Sequence, residues 1–313
     1  MLKSIRSEKL NNSTNLVKTI RKFWPFYLFF VPAIIWYGIF AYYPMTGIII
    51  AFKDFQFGKG FFGSPWVGFI YFEDFIMNPH FWDIVRNTLV ISLSRLVFNF
   101  PAPIILALMI NAVTAQRFKR VIQTVSYLPH FVAWVVVAAL INAFFSPTTG
   151  MINDLRIAQN LEPIFFLGER ELFLPFILLS EMWKSVGFSA IIYLAALAGI
   201  DPTLYEAAEI DGANGRQKLW HITFPGISPT IGILFLFSIG GLLGVNMEQI
   251  LLLQTPATFE VSEVIDTFVL RRGLMMNQFD YATAVSLFRS FMSLIIVISA
   301  NYISKKFTGV SIW

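Results

Sequence analysis

Residues 201–225 read Asp201-Pro202-Thr203-Leu204-Tyr205-Glu206-Ala207-Ala208-Glu209-Ile210-Asp211-Gly212-Ala213-Asn214-Gly215-Arg216-Gln217-Lys218-Leu219-Trp220-His221-Ile222-Thr223-Phe224-Pro225. This polar run sits between two long apolar stretches. Its local chemistry is that of a helical elbow. Asp201 suits a helix N-cap and Pro202 the first helical position. Leu204 to Ile210 reads as a short helix, with Ala207 and Ala208 as small helix-favouring residues. Gly212, Asn214 and Gly215 tolerate positive φ and supply a sharp turn. Arg216 to Phe224 reads as a second short helix, ended by Pro225. The first arm carries acids; the second carries Arg216, Lys218 and His221.

On either side the chain is strongly apolar. Of its 313 residues, 56% are hydrophobic and 13% charged. An ordinary soluble domain has about 25% charged residues. Too few charges remain to clothe a globule of this size, which excludes disorder, a coiled coil and a soluble enzyme. Six apolar segments follow: about Phe26 to Phe52, Ile84 to Val113, Gln123 to Phe145, Leu172 to Ile200, Pro229 to Leu253 and Ala282 to Ile303. Each is long enough to cross a ~30 Å hydrocarbon core. The expected fold is an all-α integral membrane protein with six transmembrane helices. Its segments would be a basic N-terminal piece (1–25), a spanning domain (26–304) that includes the loop 201–228, and a short tail (305–313). The first segment begins too late and is too aromatic for a signal peptide.

The basic residues set the orientation. With the N-terminus inside, Lys3, Arg6, Lys9, Lys18, Arg21, Lys22, Arg117, Lys119, Arg120, Arg216, Lys218, Lys305 and Lys306 fall on the inner side. Lys53, Lys59, Arg156, Arg170, Arg271 and Arg272 fall outside. The excess inside places both termini in the cytoplasm. It also accounts for the net charge of +4 without nucleic acid. The chain has no cysteine, so disulfides, thiolate metal sites and cysteine nucleophiles are excluded. Its three histidines, His80, His130 and His221, are too scattered to suggest a metal centre. The first outer loop, about Lys53 to Asp83, is rich in aromatic residues. It reads as an amphipathic stretch in the headgroup layer or as part of a docking surface for an extracellular partner.

The order Glu206-Ala207-Ala208, Gly212, Ile222 and Pro225 resembles the EAA signature of ABC importer permeases, with Phe224 in place of the usual Leu. Shorter patches extend the likeness along the chain. These are Tyr42-Tyr43-Pro44 through Ala51-Phe52-Lys53, Trp66-Val67-Gly68, Asn87-Thr88-Leu89, Tyr193-Leu194-Ala195-Ala196-Leu197 and the ending Val310-Ser311-Ile312-Trp313. The chain is similar to the carbohydrate branch of these importers, including the alginate-oligosaccharide and maltose permease subunits. The resemblance implies a type I importer permease fold in the bacterial cytoplasmic membrane. It implies a second homologous permease subunit, two cytoplasmic ATPase subunits and an extracellular solute-binding protein. It further implies that Glu206, Ala207, Ala208, Gly212, Ile222 and Pro225 couple the chain to its ATPases. ATP and magnesium would sit on those partners. The chain carries no G-x-x-x-x-G-K-[ST] loop, no H-E-x-x-H and no nucleophile-elbow motif of its own.

Charged residues within spans mark a pathway or a helix contact. The candidates are Arg95, Glu181, Lys184, Glu248 and Arg289. Glu181 and Lys184, three apart on one helix, are placed to pair with each other. Asn246, Glu248 and Gln249 form a polar patch suited to a sugar, and Trp183, Phe188 and Tyr193 offer stacking surfaces. Gly240 and Gly244 form a G-x-x-x-G that permits close helix approach. Pro101 and Pro103 should kink the second span. His130 reads as a satisfied polar residue. The alternatives are an ABC permease for a non-sugar solute and an ion-coupled secondary transporter. The latter calls for a midplane ion site and internal repeats that the sequence does not display.

Overall fold

The computed structural model describes residues 22–308, with side chains through Tyr302. Most of the basic N-terminal segment and the ending Val310-Ser311-Ile312-Trp313 lie outside the described residues. The chain divides after Gly68 into two compact units.

The first unit contains α1, Lys22–Phe52, an apolar helix of 31 residues. A π-turn over Gly38–Tyr42 precedes Pro44, and the helix tightens to 3₁₀ geometry over Thr46–Phe52. The chain then turns back on itself. Lys53 bridges Trp66, the Phe52 and Trp66 rings stack at 5.7 Å, and Lys53 Nζ donates to the Phe62 carbonyl at 2.8 Å.

The second unit is a helical bundle. Its main elements are α2 (Phe81–Ala112), α3 (Gln116–Phe131), α4 (Trp134–Phe145) and α5 (Arg170–Ala198). They are followed by α6 (Pro202–Ile210), α7 (Gly215–Gly240), α8 (Met247–Leu253) and α9 (Phe279–Thr308). Among the described residues, five helices are long and apolar enough to cross a membrane, and a sixth span exists if α3 and α4 count as one.

α2 packs on α5 by small-into-large contacts. Ile104 and Ala107 meet Ala190, Tyr193 and Leu197, with Ile227 of α7 closing the cluster. A second cluster joins Ile91, Ala138, Ile177, Ile250 and Val264. A third is aromatic: Phe75, Phe81, Phe268 and Tyr281 pack with Val285. Phe75 and Phe81 come from the stretch read as an interfacial loop. They are instead a buried core, because Phe75 lies edge-on to Phe81 at 5.0 Å and to Phe288 at 5.4 Å.

The expected spans are revised at several points. The third span is broken: α3 and α4 meet at 101° around Val132 and Ala133. The second arm of the elbow does not end at Pro225. It continues into the fifth span as one helix: a π-turn over Leu219–Thr223, in which the Phe224 amide donates to the Leu219 carbonyl, leads into Pro225. That span ends at Gly240, and six non-helical residues separate it from α8. Gly244 therefore lies outside the helix, and a Cβ on Gly240 would meet nothing within 4 Å, so the G-x-x-x-G is no helix contact here. In α2, a π-turn over Arg95–Asn99 leads into Pro101, and the helix continues to Ala112.

Candidate functional site

Two regions bring the predicted residues together: the elbow and a cavity among the spans.

In the elbow, the Asp201 carboxylate accepts from the Thr203 amide at 2.9 Å and caps α6. That hydrogen bond holds its pKa below the usual carboxylate value. Gly212 follows with φ +74°, and a Cβ there would meet no atom within 4 Å. Glycine is needed for its backbone freedom alone. Asn214 and Gln217 then form a reciprocal capping box, at 3.0 and 2.8 Å, that starts α7. Two side-chain links tie the arms together. The Tyr205 hydroxyl lies 2.9 Å from Thr223 Oγ1, and Lys218 Nζ lies 3.4 Å from Glu209 Oε2. At the base, a Cβ on Gly226 would come within 2.8 Å of Ile200, so the two arms leave the bundle in close contact.

Glu206 and Ala207 are exposed, Ala208 is half-buried and Ile210 is 88% exposed. Gly212 and Pro225 are also exposed, and Ile222 is half-buried. The signature residues are thus spread over α6, the turn and the start of α7, and among the described residues no side-chain hydrogen bond or ion pair holds Glu206. Sequence reading missed Tyr205, Thr223 and Gly226, which hold the elbow rigid. The proline spacing two residues after Thr223 was the available sign.

The cavity encloses about 760 Å³ between α2, α5, α7 and the residues just after α7. Arg95 and Glu181 face each other in its wall as a close ion pair. Asn99 Nδ2 donates to the second Glu181 oxygen at 3.3 Å, and Arg95 Nη1 approaches the Gly244 carbonyl at 3.4 Å. Ser92 Oγ and Asn99 Oδ1 are buried here without a partner. Phe100, Phe188 and Tyr193 provide ring surface. Arg95 and Tyr193 thus belong to one wall. Glu181 completes it through Arg95, not through Lys184.

Lys184 points elsewhere. Its ammonium donates to the carbonyls of His130, at 2.7 Å, and Val132, and it lies 5.6 Å from the centre of the Trp134 ring. It closes the end of α3 at the break of the third span. One helical turn on, a Cβ added to Gly187 would fall 1.9 Å from the Ser126 carbonyl, so α3 and α5 touch backbone to backbone. His130 stacks flat on Phe188 at 3.9 Å, and its Nδ1 is buried without a partner instead of satisfied.

The Asn246, Glu248 and Gln249 patch is dispersed. Asn246 caps α8 through the Gln249 amide at 3.2 Å. Gln249 is 1% exposed and donates to the Ile177 carbonyl and the Ser180 hydroxyl. Glu248 is exposed and Trp183 is 51% exposed; neither lines the cavity. Arg289 pairs with Asp266.

Two residues that carried the likeness in the second span, Asn87 and Thr88, have a legible role. The Asn87 amide donates to the carbonyls of Glu260 and Glu263, and Thr88 Oγ1 accepts from the Ile265 amide at 3.0 Å. They fasten the non-spanning stretch after α8 to α2.

A family model described as the binding-protein-dependent transport system inner membrane component matches residues 99–308. Protein LplB of Bacillus subtilis (strain 168) is 44% identical over 281 residues, covering 90% of this chain and 88% of the relative. The polygalacturonan/rhamnogalacturonan transport system permease protein YteP of the same organism is 41% identical over 292 residues, covering 93% and 91%. Among solved structures, a chain of a bacterial ABC transporter involved in the import of the acidic polysaccharide alginate is 41% identical, with a TM-score of 0.87. That match covers 94% of this chain and 99% of the other. A second crystal structure holds the alginate transporter in complex with an alginate pentasaccharide-bound periplasmic protein. It matches at 40% identity with a TM-score of 0.86.

Proposed function

The chain belongs to the family of binding-protein-dependent transport system inner membrane components, and from that premise we propose that it passes an oligosaccharide through the cavity between α2, α5 and α7, driven by partner ATPases seated on the elbow. The observation that carries the substrate reading is the cavity wall. Ser92 Oγ and Asn99 Oδ1 are buried there without partners, beside the Arg95–Glu181 pair and three aromatic rings. A buried unpaired polar atom costs about 1–3 kcal/mol. A hydroxyl-rich solute finds hydrogen-bonding partners in this polar wall, and a ring face can stack on the exposed side of Phe188. The names of YteP and of the alginate transporter support the same solute class.

The elbow supplies the drive. Glu206 presents a free carboxylate for a basic partner, and Ala207 and Gly212 allow close approach. The Tyr205–Thr223 and Glu209–Lys218 links make both arms move as one piece. α7 carries that motion directly to Leu234, Phe237 and Ser238 in the cavity wall. A second homologous permease subunit completes the pathway, and an extracellular solute-binding protein delivers the saccharide. ATP and magnesium belong to the ATPase subunits.

The test is ATP hydrolysis by the assembled complex in nanodiscs with its binding protein, scanned over neutral and acidic oligosaccharides. At least one saccharide is expected to stimulate it. Glu206→Arg is expected to abolish the stimulation while leaving membrane insertion intact. No stimulation by any saccharide sinks the substrate reading. Unchanged stimulation in Glu206→Arg sinks the role of the elbow.

A further inference from the structure

The second unit has another hollow, far from the elbow in chain order. It is an open groove of about 670 Å³ between the segment around the short helix Ile70–Ile76 and the start of α9. On the orientation given by the basic residues, it opens to the outside. Its lining includes Tyr71, Asp74, Asn78, Arg272, Gln278 and Tyr281.

The chemistry is that of a carbohydrate subsite. Saccharides are held by carboxylates and amides that take up hydroxyl pairs, and by ring faces that cover the apolar side of the sugar. The groove has both. The volume lies in the range of ordinary ligand sites, about 300–1,000 Å³. Its two aromatic walls are fixed. Tyr71 and Tyr281 meet edge to face at 6.3 Å, and the Tyr71 hydroxyl donates to Asp280 Oδ2 at 2.8 Å. Two of its charges, Arg272 and Asp74, in contrast, form no ion pair among the described residues. Arg272 lies over the rings of Phe268 and Tyr281, at 5.4 and 5.8 Å, and has no carboxylate within 4 Å. Its guanidinium makes only long contacts, at 3.4 Å to Gln278 Oε1 and 3.8 Å to Met276 S. Asp74 is exposed and joins no ion pair among the described residues. Opposite charges in one groove that do not close on each other leave their hydrogen-bonding capacity for a third party. The left-handed backbone of Asn277, at φ 57°, turns the chain so that Gln278 reaches the same wall.

The geometry points to an outer saccharide-binding subsite in this groove, with Asp74 and Arg272 as its hydroxyl- and carboxylate-binding groups and Tyr71 and Tyr281 as its walls. It rests on the reading of the chain as an oligosaccharide permease. It adds a first contact for the solute, separate from the cavity between the spans.

The absence of cysteine from the chain makes the test direct. Met77 lies at the groove rim and is 80% exposed. In the assembled transporter, first without and in a separate arm with its saccharide-free binding protein, Met77→Cys is labelled with a hydrophilic maleimide. Increasing concentrations of galacturonate oligomer or of a neutral galactose oligomer are added. An otherwise identical complex with Ile210→Cys in the elbow serves as reference. Protection of Met77→Cys and not of Ile210→Cys is expected. Asp74→Asn should raise the half-protecting concentration of both oligomers by about tenfold or more. Arg272→Gln should do so more for the galacturonate oligomer than for the neutral one. Both substitutions lie at exposed or half-exposed positions, and near-native thermal stability checks that the fold is kept. If saccharide stimulates ATP hydrolysis but gives no protection at Met77→Cys, the subsite is overturned and the permease reading stands. If neither stimulation nor protection occurs, both fall. Protection by the binding protein alone, and not by free saccharide, assigns the groove to protein docking and overturns the proposal.

Discussion

Gly187 and Gly212 are both glycine for different reasons, and substitution separates them. At Gly187 the backbone angle is ordinary, but a Cβ would sit 1.9 Å from the Ser126 carbonyl, a backbone atom that has no side chain to swing aside. Gly187→Ala forces α3 away from α5 and is expected to destabilise by about 1–3 kcal/mol, as overpacking does. At Gly212 space is open but φ is +74°. Gly212→Ala costs about 1–2 kcal/mol of backbone strain, confined to the turn. Thermal unfolding in detergent should therefore fall clearly for Gly187→Ala. For Gly212→Ala, faster amide exchange should appear around residues 211–215 with little change in global unfolding. Equal global loss in both would overturn the distinction. Only one of these glycines was legible in the sequence. Gly212 stands in a recognisable turn, whereas Gly187 is a lone glycine in an apolar run, and its partner at Ser126 is 61 residues away.

At the scale of elements, the sequence showed where apolar stretches begin and end but not where they bend. Hydropathy alone did not place the 101° turn at Val132 and Ala133, although its flanks differ: Gln116–Tyr127 is amphipathic and rich in polar residues, whereas Trp134–Phe145 is apolar. What holds the turn is remote: Lys184, Gly187 and Phe188 lie on one face of α5 and meet the end of α3 through a carbonyl clasp, a backbone contact and a ring stack. The i,i+3 spacing that suggested a Glu181–Lys184 pair was correct as geometry. It lost to stronger partners, a guanidinium for Glu181 and the His130 and Val132 carbonyls at the break for Lys184. Lys184→Met keeps the stem but removes the clasp. Spin labels placed at residues 125 and 140 are expected to give a broader distance distribution in Lys184→Met than in the wild type. An unchanged distribution would show that stacking and close approach hold the break without the ammonium.

At the scale of the molecule, the fold class followed from composition, and the elbow from one motif. The cavity did not, because its wall is assembled from α2, α5 and the residues after α7, which are distant in the chain. Its ion pair is the joint between them. A partly buried pair like this one is weak as a source of stability, yet leaving one partner alone is costly, by up to about 3–5 kcal/mol for a fully buried pair. Arg95→Gln, which leaves the Glu181 carboxylate without its cation, should lower the unfolding temperature markedly. The double substitution Arg95→Gln with Glu181→Gln should recover most of that loss. An additive double mutant would mean that the two residues act independently.

The π-turn over Leu219–Thr223 has a wider meaning for how the two working ends of the chain relate. A π-turn is an α-helix holding one surplus residue, and each residue of helix advances the side-chain face by about 100°. The elbow and the cavity wall lie on opposite sides of that surplus residue. Their relative facing is thus indexed by a single peptide unit: the facing of the exposed elbow against that of Ser238 in the cavity wall depends on one extra residue stored at the neck between them.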